Sequence, residues 1–294
     1  MSDYILSCCS TCDLTKEHLE QRDIKFISFH YYINGVEHID DFGTTISIPD
    51  FYHAMDEGAE TSTSQVNISE YEEYFSSFLD EGKDVIHLTL SSGISGTLNS
   101  ALAAAENLRP KYPDRQLIII DSLAASSGYG MLMDAAADKR DEGLSINELE
   151  KWILDNRLNL HHWFFSTTLK YYVKGGRISK ASGFFGSALG ICPLLHVDEL
   201  GRLIPMEKIR SKKKVINAIV EKMKERALNG LDYAGRCYMS HSACFEDAKA
   251  VADKIEEAFK KLPDPVQIFN VGTVIGSHTG PGTVALYFWG DNRA

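Results

Sequence analysis

Residues 84–101 read Asp84-Val-Ile-His-Leu-Thr-Leu90-Ser-Ser-Gly-Ile-Ser-Gly96-Thr-Leu-Asn-Ser-Ala101, an apolar run that passes through a Ser/Gly turn into an Ala- and Leu-rich stretch. The pattern predicts a buried strand over 84–90 and a helix over 98–108. At such a turn, free backbone N–H groups and the positive end of a helix dipole face one point, which favours an anion. No G-x-x-x-x-G-K-[ST] occurs, so the lysine of a phosphate loop is missing. The hydroxyls and amides from Ser91 to Thr97 suit a carboxylate or a phosphate held without a full countercharge.

Working outward, the same alternation recurs on both sides. Tyr4 to Cys8 reads as a strand, followed by a turn and a short helix with Thr15 as its N-cap. Ile24 to Ile33 reads as one strand, and Asn34-Gly35 as a two-residue hairpin turn. A helix over 48–57 leads to Gly58–Asn67, a loop crowded with hydroxyls. Ser69-x-x-Glu72 then reads as a capping box. Gln116 to Ile120 is a further strand, followed by a Gly/Ala/Met-rich helix over 126–142 and a helix capped by Ser145-x-x-Glu148. Alternating strands and helices predict a right-handed parallel sheet, with loops that converge at its carboxyl edge. This first α/β domain is expected over 1–159.

A second α/β domain is expected over 160–294. His161 to Ser166 reads as a strand, on which His161 and His162 point to opposite faces. Phe184, Phe185 and Leu189 either line a cavity or belong to an ordinary core. Residues 192–197 and 202–210 form a strand pair, and 212–228 a helix. Arg210-Ser-Lys212-Lys213-Lys214 places cations at the end of that helix where the dipole disfavours them. The run is either a solvated face or a dock for an acidic or phosphate-bearing partner. Strands over 236–240, 266–270 and 283–289 follow, and the Gly/Pro-rich loop 272–282 brings His278 toward a ligand.

Composition limits the function. A chain of 294 residues with 44% hydrophobic residues can bury ample core, and a net charge of −11 argues against nucleic acid and against an anionic membrane surface. No apolar run reaches the roughly 18 residues of a membrane span, so no integral membrane segment is expected. The start MSDYILSCCSTCD lacks the basic and apolar regions of a signal peptide, and six scattered cysteines fit a reducing cytoplasm. Cys9-Ser-Thr-Cys12 offers a possible dithiol and His38-Ile-Asp40-Asp41 a possible metal cluster, but small turn residues and a polar hairpin flank account for them. No metal or cofactor is expected.

Thr63-Ser64-Gln65, Ser91 to Thr97, Asp121-Ser122, Lys174-Gly175-Gly176-Arg177-Ile178, Ile209-Arg210 and His278-Thr279-Gly280-Pro281-Gly282 follow one another in an order that resembles the DegV family. The resemblance spans nearly the whole chain. It implies an N-terminal Rossmann-like parallel-sheet domain, a C-terminal α/β domain and a long-chain fatty acid in the cleft between them. It also implies a carrier without catalysis of its own, presenting the acid to a separate fatty acid kinase that forms the acyl phosphate. The carboxylate would be held by Thr63, Ser64, Ser92, Ser95, Gly96, Arg177, His278 and Thr279, with the Thr97 amide beside them, and the kinase would dock at Arg210 and Lys212. Three departures stand out: Cys8-Cys9 where the family begins Thr-Asp, Cys192 where a lysine often precedes proline, and Val66-Asn67 after the Thr-Ser-Gln motif.

Other classes compete. A serine hydrolase could be assembled from Ser95, His278 and Asp121, although Gly93-Ile-Ser95-Gly96 is one residue short of a G-x-S-x-G elbow. A self-contained phosphotransferase lacks a nucleotide loop, and the dithiol oxidoreductase would need Cys9 and Cys12 paired.

Overall fold

The computed structural model describes residues 4–180 and 190–293. Its first sheet is parallel and is built from β1 (Tyr4–Cys9), β2 (Ile24–Ile27), β6 (Asp84–Thr89) and β7 (Leu117–Asp121) in the order β2-β1-β6-β7. The order reverses direction between β1 and β6, the switch point at which α/β sheets leave a crevice. A small antiparallel sheet, β4-β3-β5, joins β3 (His30–Ile33), β4 (Val36–Ile39) and β5 (Thr61–Ser64). The third sheet begins at Leu160. It contains β8 (Leu160–Ser166), β9 (Ile191–Val197), β10 (Leu203–Arg210), β11 (Cys237–His241), β12 (Gln267–Asn270) and β13 (Thr283–Trp289) in the order β10-β9-β8-β13-β11-β12. Only the β11–β12 pair in it is parallel.

Ten α-helices lie around the sheets among the described residues: α1 (Lys16–Gln21), α2 (Ile48–Asp56), α3 (Ile68–Leu79), α4 (Thr97–Leu108), α5 (Ser126–Asp141), α6 (Ile146–Asn156), α7 (Lys170–Lys174), α8 (Lys212–Arg226), α9 (Phe245–Ala258) and α10 (Thr273–Thr279). Thr15 and Ser145 cap their helices as expected. Four local readings are corrected. The hydroxyl-rich stretch 58–67, read as a loop, contains β5, paired antiparallel with β3. Residues 24–33 form two strands rather than one, because the Phe29 amide turns away to donate to Ser10 Oγ (3.1 Å). The capping box is Asn67 with Glu70, not Ser69 with Glu72. Residues 273–279, read as a loop, form α10. Phe184, Phe185 and Leu189 lie outside the described residues.

The helix that joins the sheets is α5. Its Gly/Ala/Met composition leaves it buried on nearly every side, packed beneath β8, β11 and β13 of the third sheet. A Cβ on Gly128 would meet the His162 ring and Tyr287 Cδ1 at 2.4 Å, so only glycine lets helix and sheet come this close. A second close approach locks the Ser/Gly turn to the β9–β10 turn: Ser91 Oγ donates to the Gly201 carbonyl (2.9 Å), and a Cβ on Gly93 would sit 2.5 Å from Gly201. Buried carboxyl groups reinforce the junction near α10. Asp13 accepts from Ser126 Oγ and from the Gly272 amide, and Asp40 accepts from Thr273 Oγ1 (2.8 Å). Burial raises the pKa of both aspartates, Asp13 more strongly.

Two measurements check this account. Gly128→Ala is expected to destabilise the protein by about 1–3 kcal/mol through overpacking, read as a lower denaturant midpoint. His87, buried against Ser7 Oγ (2.8 Å), has its pKa pushed down to about 3 by burial. Between that value and the ordinary 6.5 the unfolded chain binds a proton that the folded chain does not, so this group's contribution to stability falls as pH falls through that window. Unfolding free energy measured at several pH values should show a shallower acid slope in His87→Gln.

Candidate functional site

A cavity of about 370 Å³ lies where the loops after β2, β6 and β7 meet the face of the third sheet. Its volume is in the range of small-molecule sites. The floor comes from the pleat of two antiparallel strands. On β13, Thr283, Ala285 and Tyr287 face inward, and the register sets them opposite Ser166, Phe164 and His162 of β8. Val197 of β9 and Leu203 of β10 continue the floor, and Val274 and Ile275 of α10 form part of the wall.

Six of the eight expected ligand residues line this one cavity: Thr63, Ser64, Ser95, Arg177, His278 and Thr279. Thr63 Oγ1 and His278 Nε2 are 2.7 Å apart, so β5 and α10 are tied together at the site. His278 Nδ1 is buried without a partner among the described residues, pressed against Gly175. Burial, and then the Arg177 charge, push the His278 pKa down to about 4, so the ring is neutral at pH 7. Arg177 donates from Nε to the Ile94 carbonyl (3.1 Å) and from Nη1 to the Gly175 carbonyl (2.6 Å). It forms no ion pair among the described residues, and burial lowers its pKa without removing its charge. Ser95 follows Ile94 directly, so cation, hydroxyls and imidazole gather in one part of a mostly apolar chamber.

Ser92 and Gly96 are exposed and do not line the cavity. The Ser92 amide donates to Asp121 Oδ1 (3.1 Å), and Gly96 abuts the Gln65 side chain. The turn also uses up most of its own donors. Gly93 N–H donates to Ser91 Oγ, Ile94 and Ser95 N–H to the Ser91 carbonyl, and Thr97 N–H to Ser95 Oγ (3.2 Å). The Thr97 amide is therefore engaged within the turn, and the positive charge that lines the cavity comes from Arg177 rather than from the helix start.

The competing chemistries do not assemble. Among the described residues His278 bonds Thr63 instead of Ser95 and has no acceptor behind Nδ1, and Asp121 accepts backbone amides of Ser92 and Leu123, so Ser95, His278 and Asp121 are not linked as a relay. Cys9 Sγ faces the Tyr71 hydroxyl (3.4 Å), while Cys12 lies 3.9 Å from Cys8, so Cys9 and Cys12 are not a pair. Burial raises the thiol pKa of Cys8, and that of Cys9 to about 11. Asp40 faces Thr273, His38 stacks on Tyr31, and no group of three or more His, Cys, Asp or Glu among the described residues could hold a metal. Arg210 ends β10 at the surface, and Lys212 Nζ pairs with Asp247 (2.7 Å). No helix among the described residues is long and apolar enough to cross a membrane. The residues that sequence reading missed are the floor: Phe164, Thr283, Ala285 and Tyr287 were marked only by a period of two.

With this geometry in hand, comparison with known proteins is specific. The family model for DegV, described as an uncharacterised protein family, matches residues 9–290. A DegV domain-containing protein of Clostridium perfringens is 35% identical over 293 residues, covering 100% of this chain and 99% of that protein. A protein of Thermotoga maritima named fatty acid-binding protein is 32% identical, with 94% of each chain covered. The crystal structure of a DegV lipid binding protein from Thermotoga maritima superposes with a TM-score of 0.85 at 28% identity, covering 100% of both chains. The ordered motifs, the three-sheet α/β fold and these full-length matches place the chain in the DegV family.

Proposed function

We propose that this protein binds a long-chain fatty acid, with the carboxylate at Arg177, Thr63, Ser95 and His278 and the tail along the apolar floor. The observation that carries this reading is Arg177, a cation without an ion-pair partner among the described residues, set in one part of a mostly apolar cavity. A carboxylate supplies the missing charge, and hydroxyls from Thr63, Ser95 and Thr279, with Ser64 nearby, satisfy its other lone pairs. A chain of about 14 methylenes contributes roughly 11 kcal/mol gross at about 0.8 kcal/mol each. Ordering costs bring the net affinity to the micromolar or nanomolar range. The family likeness and the name of the Thermotoga maritima relative support the same ligand class.

The reading extends to a role. A non-catalytic carrier that exposes a carboxylate to a separate fatty acid kinase, for acyl-phosphate formation in the cytoplasm, needs a docking surface outside the cavity. Arg210 and Lys212, on an exposed basic edge, suit that use. Residues 1–159 and 160–294 would act as two domains closing on the ligand.

Organic extraction of the purified protein followed by mass spectrometry should yield a fatty acid near one per chain; an empty extract together with no binding of added palmitate would refute the ligand class. Palmitate is expected to bind roughly 10–100-fold more tightly than its methyl ester, because the ester leaves Arg177 without a countercharge. Arg177→Met should erase most of that difference, as read by competition with a fluorescent acid. Arg210→Ala should retain palmitate affinity within about twofold and slow phosphorylation by the kinase; equal loss of binding in both variants would remove the division of roles.

A further inference from the structure

The cavity floor narrows in its middle. The β8–β13 register divides it into three ranks: Thr283 with Ser166, Ala285 with Phe164, and Tyr287 with His162. The first rank adjoins the expected carboxylate seat, because Thr283 Oγ1 is bonded to the Tyr172 hydroxyl of α7 (2.9 Å), and Gly175 at the end of α7 abuts the His278 ring. The third rank is four residues further along β13, roughly 13 Å at about 3.3 Å per residue. There the cavity spreads over Tyr287 and His162 and on to Val197 and Leu203, which pair across β9 and β10.

The second rank joins the two. Ala285 and Phe164 both line the cavity, whereas Leu195, which pairs with Phe164 on the β9 side, is fully buried and does not. On the β11 side Ala285 pairs with Ser240, also fully buried, whose hydroxyl lies 2.8 Å from that of Tyr287 and 3.2 Å from that of Ser126. Among the described residues the floor is thus reduced at this point to one phenyl ring and one methyl group. The ring is braced: Phe164 stacks on Tyr172 with centroids 6.1 Å apart and planes 21° apart, and Tyr172 is tied in turn to Thr283. What leaves room over the second rank is the small side chain at position 285.

Resting on the fatty-acid reading above, we infer that Ala285 sets the length of acyl chain that the cavity accepts. The tail crosses the second rank over the Ala285 methyl, beside Phe164, and lays its outer methylenes on the third rank. Each methylene that passes adds about fourfold in affinity. A larger side chain at 285 fills the lane, and its close-packed surroundings have no slack to absorb it. An acid short enough to end at the first rank does not meet the added bulk.

The test is competition binding of saturated acids from octanoate to stearate to delipidated wild-type protein, Ala285→Val and Ala285→Leu, with cooperative unfolding checked for each. In the wild type, affinity is expected to climb about fourfold per methylene up to palmitate. In Ala285→Leu the climb should stop at medium length, so that the palmitate-to-octanoate affinity ratio falls by roughly 30-fold or more, the worth of two to three methylenes at about fourfold each. Ala285→Val should lower the ratio by about fourfold or more, and it decides the matter should the leucine variant fail to fold. A flat wild-type series would overturn the inference. So would a ratio unchanged in a folded variant, whether through no loss or through equal loss at every length, because the added bulk then lies outside the tail's path or merely loosens the cavity. Failure of the wild-type protein to bind any of these acids would refute the underlying fatty-acid reading instead.

Discussion

The close contact of α5 with the third sheet sets the position of everything else. Because Gly128 has no side chain, the helix lies directly on His162 and Tyr287, and the parallel sheet behind it comes within reach of the antiparallel one. A helix with large residues on that face would separate the sheets, and the cavity would become an open groove. The packing follows from close-packed interiors, where an extra methyl cannot be absorbed without displacing a neighbour. The Gly93–Gly201 contact repeats the device at the loop level, fixing the turn after β6 against the β9–β10 turn.

Within that frame the electrostatics are simple. One guanidinium, Arg177, supplies charge; one neutral imidazole, His278, and a few hydroxyls supply direction. Burial and the neighbouring Arg177 charge keep His278 uncharged, so the cavity holds one cation rather than two at this point. The Ser/Gly turn contributes shape more than charge: most of its amides close on Ser91 and Ser95, within the turn itself.

Much of this was legible in the chain, and the unread parts share a cause. The strand–turn–helix unit at 84–108, the Asn34-Gly35 hairpin and the Ser145 cap are local, and local rules recovered them. The Thr63, Arg177 and His278 motifs, read together through their order in the family, line one cavity. The break at Phe29 was hidden because apolar alternation runs on across it, and the decisive bond comes from Ser10, distant in sequence. Ser69–Glu72 and Asn67–Glu70 satisfy the same capping pattern two residues apart, and only the backbone distinguishes them. His278 was placed in a loop because glycines and a proline surround it, although Thr273 to Thr279 makes a short helix between them. The floor was unreadable for a different reason, since which face of β8 is inward depends on pairing with a strand more than a hundred residues later.

The carboxyl groups of Asp13 and Asp40 join the two halves through the Gly272 amide and the Thr273 hydroxyl rather than through lysine or arginine. Bonds of this kind act over one atomic contact in a buried setting, where mobile ions do not enter, whereas the surface ion pairs of this acidic chain weaken within a Debye length of about 8 Å at physiological ionic strength. This buried part of the seam is thus less sensitive to salt than the half-exposed Arg236–Asp138 pair that also spans the two halves.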